Sequence, residues 1–384
     1  MSIIKKDSIN YEKIDPFMDR ETTKEVWLDL QNRTEHSFFL SWAWIENWLE
    51  LLPPKAKIQL IVGRLGKQPV ICFFLGRSLS VDHKLILANR AYLNTSGHPC
   101  DTLTMEYNGL LVDKTLVNDT TSWLRSPLLK DVDEFVLPEL SSDEMLRDSM
   151  TDFRLADDLL ERTPSYFVDF PQITESSKEY ISHLSKNKRA QIRRSLKEYG
   201  KFGEIKLKAA ETADEAIAML DNMRVLHDAR WNQRNQGSIF DNDFFMGFHR
   251  RLIRTRFEQN EIRMLHVYHD SGTLGYLYYF YYKGEALFYQ CGFNYLSGSQ
   301  HYRPGLVSHY TAIMYFLESG AKKYNFLASD SQYKKSLATG HDELLLIRYQ
   351  RKLMRFNVEK GLRRLKRSID QLRARLDSAK FSSG

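Results

Sequence analysis

The chain reads as an α/β protein made of two tandem domains and closed by a basic amphipathic helix, and three observations lead there. Its 384 residues, at roughly 150 per domain, exceed what one small module needs. From Glu204 onward, strand-length apolar runs alternate with runs of helical period in the order β-α-α-β-β-β-α-β-α-β. Finally, Arg348 to Gly384 carries twelve Lys or Arg against Glu359, Asp370 and Asp377, a net +9. The whole chain is +6, so residues 1 to 347 sum to −3. The basic character belongs to the tail, so it bears on what the tail contacts and not on the main body.

The bulk composition agrees. Hydrophobic residues at 42% and charged residues at 27% suit a globular protein and exclude a disordered or collagen-like one. Cys72, Cys100 and Cys291 stand far apart with no CxxC spacing, so neither a disulfide framework nor a zinc cluster is expected, and no metal site. Met1 to Asn10 lacks the apolar core of a secretory signal. The most apolar stretches, Ile71 to Leu75 and Tyr276 to Tyr282, fall far short of the roughly 20 residues that cross a bilayer. The expected location is cytoplasmic, at most peripheral at the inner face of the membrane.

In the first half, Glu21 to Leu30 and Ser41 to Leu52 have helical period, the second with Ser41 as N-cap and Trp44 and Trp48 four apart. Pro53-Pro54 ends it. The alternating runs Ile58 to Arg64 and Val70 to Leu75 flank Leu65-Gly66-Lys67-Gln68-Pro69, which reads as a hairpin. Leu85 to Ala88 and Glu134 to Leu137 are further strands, and Asn94 to Asp101 is a polar loop long enough to line a site. Thr163-Pro164-Ser165 breaks the pattern, which sets domains at 1–165 and 166–350 and a tail at 351–384.

The second half opens with a strand at Tyr166 to Phe170 and a helix from Ser177 to Tyr199, stopped by Gly200 and Gly203. Glu204 to Ala209 is a strand. Thr212-x-x-Glu215 is a capping box that starts the next helix, and another runs from Asp241 to Glu258. A meander follows: Arg263 to Tyr268, Leu274 to Lys283, Glu285 to Gly292. Pro304 opens a helix and Gly320 closes it. Lys323 to Leu327, a short helix at Gln332 to Ala338 and a strand at Glu343 to Gln350 complete the order.

Four stretches carry a resemblance: Ser41-Trp42-Ala43-Trp44 with Trp48; Lys186-Asn187-Lys188-Arg189 through Arg194; His227-x-x-Arg230-Trp231; and Arg303-Pro304-Gly305 followed by Tyr324 to Asp330 and Tyr333-Lys334. In order and spacing they resemble the branch of the GNAT superfamily holding the CelD-like acetyltransferases and the FemAB-like aminoacyltransferases. The resemblance covers about residues 35 to 350. It implies two GNAT-like domains, the first a degenerate copy, with the reaction centre in the second. The chain departs from that pattern at Arg303, Asn325 and Ser329, where relatives have Ser, Asp and Gly. Gly292 to Gly305 also lacks the usual Q/R-x-x-G-x-G/A pyrophosphate loop.

Acyl transfer needs a donor beside the nucleophile, a group that takes a proton, and a stabiliser of the oxyanion. The resemblance places these where the fourth and fifth strands part, at the ends of Glu285 to Gly292 and Lys323 to Leu327. Lys334, Asp330 and Tyr289 are the expected catalytic residues, Lys334 as the stabiliser. Arg303, Gly305, Arg230, Trp231, Tyr333 and Gln290 are the expected binding residues, Arg303 because it precedes a helix N-terminus that favours anions. His227 shares an apolar face with Trp231 and reads as a packed core histidine, with a catalytic base as the alternative because imidazole titrates near neutrality. The aromatic run Tyr276 to Tyr282 reads as a core strand. Lys186 to Lys201 makes a basic helix face suited to an anionic acceptor or tRNA.

The expected function is N- or O-acyl transfer from acyl-CoA, with no permanently bound cofactor, to an amine or hydroxyl of a cell-envelope, polysaccharide or related small-molecule precursor. The alternatives are a Fem-type transferase using aminoacyl-tRNA and a non-catalytic scaffold for an anionic partner. In the tail, Val358, Leu362, Leu365, Ile369, Leu372 and Leu376 recur at three and four residues, an amphipathic helix expected to bind an anionic membrane surface or RNA.

Overall fold

A computed structural model describes residues 9–82, 86–117, 122–141, 153–176, 178–232, 237–358, 360–362 and 369. In chain order the elements begin with β1 (Asn10–Ile14), α1 (Arg20–Gln31), α2 (Trp42–Leu51), β2 (Lys57–Leu65), β3 (Gln68–Asp82), β4 (Ile86–Leu93), β5 (Leu111–Val112), β6 (Glu134–Leu140) and β7 (Phe153–Asp169). They continue with α3 (Phe170–Glu175), α4 (Lys186–Tyr199), β8 (Lys206–Ala209), α5 (Ala213–Asn232), α6 (Asp243–Arg256), β9 (Ile262–His269), β10 (Gly272–Tyr282) and β11 (Glu285–Phe293). The last are α7 (Pro304–Glu318), β12 (Lys323–Ala328), α8 (Gln332–Leu337) and β13 (Gly340–Arg351).

The strands join into one sheet ordered β1-β2-β3-β4-β6-β13-β7-β12-β11-β10-β9-β8, with β5 on β3. Read inward from each edge, its two halves repeat. β1 to β4 are antiparallel, β4 to β6 is parallel, and β13 closes antiparallel on β6. β8 to β11 are antiparallel, β11 to β12 is parallel, and β7 closes antiparallel on β12. Two helices follow the first strand in each half, α1 and α2 after β1, α5 and α6 after β8. The duplicated order is therefore real. The halves differ in the parallel crossover, which is α7 between β11 and β12 but an irregular connection carrying β5 between β4 and β6.

Each half is closed by a strand from outside its own run of sequence, and those two strands, β7 and β13, pair with each other along most of their length. Thr163-Pro164-Ser165, expected to interrupt the chain, lies within β7, where Pro164 stands opposite Glu343 on β13. The expected helix from Ser177 starts instead at Lys186, with the Ser185 hydroxyl accepting the Lys188 N–H and a short turn at Tyr180–His183 before it. β1 and β5 escaped the sequence reading because both are short.

One core cluster spans the halves, packing α1 and α2 (Trp27, Trp44, Trp48) against α5 and α6 (Leu220, Met223, Phe248, Leu252) and the sheet (Phe74, Tyr278, Phe280). On the other face, Leu277 and Tyr279 of β10 pack with Ile192, Ile313, Phe316 and Tyr324. The aromatic β10 is thus buried on both faces, as a core strand must be. Most of the amphipathic tail falls outside the described residues, and no helix among the described residues is long and apolar enough to cross a membrane.

Candidate active site

β11 and β12 pair only from Glu285 opposite Lys323 to Leu287 opposite Asn325. Beyond that point they part, as the sequence reading expected of its fourth and fifth strands. Two irregularities shape the gap. The β10–β11 register jumps between Tyr278 and Tyr279, which leaves Tyr289 as the extra residue of a bulge and re-aims its side chain. On β12, Leu327 takes φ 59°, a left-handed conformation uncommon for a branched residue, and the Asn325 side chain pins it by accepting the Leu327 N–H at 2.8 Å.

This turn frees the Ala328 peptide. Its N–H donates to the Glu106 carboxylate. Its carbonyl accepts from Lys334 Nζ at 3.3 Å, and the neighbouring Leu327 carbonyl does so at 3.1 Å. Lys334 is 7% exposed and Glu106 8%. Burial pushes the Lys334 ammonium down to about 8, opposed by the Glu106 charge. Burial likewise pushes the Glu106 carboxyl up to about 8, opposed by the Ala328 N–H and by Lys334. Desolvation dominates at both groups, and each supplies part of the charge that offsets it at the other.

Glu106 belongs to the irregular crossover of the first half, so both halves build this centre. Sequence reasoning missed it because nothing local distinguishes it: Thr104-Met105-Glu106-Tyr107-Asn108 carries no motif, and its partner lies more than two hundred residues away. Tyr107, at φ 49°, fixes the approach of this segment. Its hydroxyl donates to Asp342 at 3.1 Å, lies 2.8 Å from the Ser165 hydroxyl, and accepts from Asn325 Nδ2 at 2.8 Å. Asn325, noted only as a departure from the family pattern, is thus a structural pivot.

The other expected residues sort themselves by geometry. Tyr289 lies in the gap among Trp44, Phe245, His249 and Phe280, and burial together with the Glu106 charge drives its hydroxyl upward. Gln290 turns back onto its own strand, accepting the Cys291 N–H at 3.3 Å. Cys291, beside Lys334, is held up at about 12 by burial. Asp330 is exposed and makes no hydrogen bond or ion pair among the described residues; the carboxylate the fold delivers to Ala328 is Glu106. Tyr333 stacks on His309 at 5.4 Å.

His309, on the second turn of α7, was not anticipated. Its Nδ1 bonds the Tyr324 hydroxyl at 2.7 Å, which bonds the Tyr279 hydroxyl at 2.9 Å, while Nε2 has no partner. Burial, helped by Lys334, lowers it to about 3, so it is neutral.

Arg303 precedes α7, exposed, with its Nε donating to Gln300 O at 3.3 Å. Lys188 of α4 is close enough that burial and the Arg303 charge together lower its ammonium. Two cations therefore stand by a helix N-terminus whose first-turn N–H groups have no partner within the helix. Gly305, in that turn, lies against Phe293, whose ring a Cβ would meet at 3.0 Å. Arg230 stacks over Tyr295 at 4.3 Å, and Trp231 packs 5.6 Å from His227. His227 bonds Ser238 at 3.0 Å, the residue that caps the next turn, consistent with a packed role. The loop Asn94 to Asp101 serves the structure locally: Asp101 accepts from Ser96 and, at 3.0 Å, from Trp48 Nε1.

Comparisons with known proteins bear on this arrangement. Residues 186–335 match the sequence model of the acetyltransferase (GNAT) domain. No curated protein matches the chain in sequence. Among solved structures, the crystal structure of FemX aligns with a TM-score of 0.53 at 11% identity, covering 87% of this chain and 96% of that one. The C-terminal domain of a putative lysylphosphatidylglycerol synthetase from Agrobacterium fabrum aligns at 0.48 and 11%, covering 90% and 95%. A tandem GNAT protein from the clavulanic acid biosynthesis pathway aligns at 0.43 and 13%, covering 89% and 98%. The chain is a mixed α/β protein of two GNAT-like halves sharing the FemX fold, and its residues 186–335, which hold Lys334, Tyr289 and Arg303, match the GNAT acetyltransferase domain.

Proposed function

We propose that this chain transfers an acyl group from an acyl-CoA-like thioester to an amine or hydroxyl of a cell-envelope or polysaccharide precursor, as the resemblance of its motifs to the CelD-like acetyltransferases implies. The observation that carries it is the Leu327–Ala328 peptide held between Glu106 and Lys334 where β11 and β12 part. The Glu106 carboxylate takes the acceptor's proton as its N or O attacks the carbonyl carbon. Lys334 steadies the oxyanion with the N–H that is not spent on Leu327 and Ala328. The C–S bond then breaks and the thiolate takes a proton from Lys334. Proton transfer from Glu106 to Lys334 resets the pair, and burial, which raises the carboxyl and lowers the ammonium, brings their proton affinities toward each other. Arg303, Lys188 and the α7 N-terminus bind the donor's phosphates, with Gly305 allowing close approach. In this reading the domains at 1–165 and 166–350 are both needed for the reaction centre.

A second reading has aminoacyl-tRNA as donor. It is favoured by the missing pyrophosphate motif between Gly292 and Gly305 and by the basic α4 beside Arg303. Thermal unfolding with acetyl-CoA, longer acyl-CoAs and aminoacyl-tRNA separates the two, since a bound ligand raises the melting temperature. A rise with an acyl-CoA, and turnover that Glu106→Gln abolishes, support the first reading. A rise with tRNA alone overturns it in favour of the second. No response to any donor overturns both and leaves a non-catalytic scaffold.

A further inference from the structure

The opposite ends of β11 and β12, at Glu285 and Lys323, border a cavity of about 950 Å³ between the halves, within the size range of small-molecule sites. The first half supplies the segment Glu35 to Leu40 and Tyr107 to Leu110, and the second supplies the hairpin turn Tyr282 to Glu285 with Lys322 and Lys323. This is a different place from the reaction centre. Leu287 lines the cavity, whereas Cys291 beside Lys334 lies four residues further along the strand, roughly 13 Å. The bonded pair Tyr107 and Asn325 forms the cavity wall on the side of that centre.

The lining states what the cavity selects. Its cations are Lys114, Lys283, Lys322 and Lys323, its acids only Glu35 and Glu285. Lys283 lies 3.5 Å from Glu35 and Lys323 lies 3.3 Å from Glu285. Lys322 has no acidic partner among the described residues; its stem packs on Gly284 and its charge is uncompensated. Inside, the polar groups are neutral and already oriented. His36 spends Nδ1 on Thr34 O at 2.9 Å and Nε2 on the Tyr282 hydroxyl at 2.7 Å, a bond that crosses between the halves. Tyr107 and Tyr282 contribute partly exposed rings. An open-mouthed space with aromatic walls and a lysine without an acidic partner at its rim suits a molecule with an uncharged body and an anionic group.

We propose that this cavity binds a small organic anion, a phosphate- or carboxylate-bearing molecule whose charge meets Lys322 and whose body lies between Tyr107 and Tyr282. Because its walls come from both halves, occupancy clamps them together. Titration calorimetry and thermal unfolding test this with glucose 1-phosphate and inorganic phosphate on the full chain. Glucose 1-phosphate should bind and raise the melting temperature. Lys322→Glu, an exposed change that leaves the unliganded melting temperature unaltered, should weaken binding at least tenfold while the response to acetyl-CoA stays as in the parent. Tyr282→Phe, which keeps the ring and removes the bond to His36, should retain most of the affinity. Absence of binding, equal affinity for inorganic phosphate, or undiminished affinity in Lys322→Glu each overturns the proposal. None of these outcomes touches Glu106 or Lys334, so the acyl-transfer reading stands or falls separately.

Discussion

Glu106 and Lys334 hold the same peptide, the one joining Leu327 to Ala328: the carboxylate accepts the Ala328 N–H, and the ammonium donates to the Leu327 carbonyl at 3.1 Å. One comes from the crossover between β4 and β6, the other from the short helix after β12. Neither half alone contains both, and the sheet continuity through β7 and β13 sets their separation.

Their opposed shifts make the rate pH-dependent in a defined way. Glu106 must be ionised to accept a proton, so turnover rises as pH climbs toward about 8. Lys334 must be protonated to steady the oxyanion, so turnover falls above about 8. The expected profile of kcat is a narrow bell centred near that value, titrated by the pair as a unit. A flat profile between pH 6 and 9 counts against the assignment.

Glu106→Gln keeps an oxygen that accepts from Ala328 and removes the base. It should lower kcat by about 10²- to 10⁴-fold, the usual worth of a general base, and abolish the acid limb of the bell. Lys334→Met, which preserves length and burial, should cost about 10²- to 10³-fold. Steady-state kinetics on variants whose circular dichroism matches the parent checks both.

Arg303→Ala should act on donor binding alone. Losing one charge-assisted contact to a phosphate, about 1.5–3 kcal/mol, raises the KM for acyl-CoA roughly ten- to a hundredfold and leaves kcat near its parent value. A drop in kcat with unchanged KM is the result that contradicts the role given to Arg303.

His249, packed against the Tyr289 ring at 4.8 Å, offers a test of stability in place of turnover. It is fully buried on α6, with Nδ1 3.3 Å from the Tyr278 hydroxyl and Nε2 unpartnered, and burial lowers it to about 3 from an ordinary 6.5. Between those values the unfolded chain binds a proton that the folded chain refuses, so stability declines as pH falls below 6.5. The slope is about 1.4 kcal/mol per pH unit for one such group. His249→Leu should remove that increment from the slope between pH 6 and 4 in urea unfolding; an unchanged slope contradicts it.

The tail prediction concerns residues 357 to 384. Deleting them should abolish salt-sensitive binding to anionic liposomes or RNA and leave the two halves folded, since Phe356, buried against Ala88, is retained. Cosedimentation at two salt concentrations decides it; binding that survives deletion refutes the role.

The sequence by itself determined the order of elements, because hydrophobic period and turn residues act over a few neighbours. Pro304 opening α7, the meander from Arg263 to Gly292 and the core character of β10 all rest on such short-range signals. It also singled out Lys334, whose Tyr333-Lys334 setting resembles a family pair. Tertiary structure alone decided which carboxylate meets that lysine. Asp330 is near in sequence yet exposed, while Glu106 is remote in sequence yet buried against Ala328. The exchange of β7 and β13 was equally invisible, since strand partners depend on hydrogen bonds between distant segments and leave no periodic trace. The candidate site, with its buried pair, and the cavity between the halves all arise from that long-range pairing.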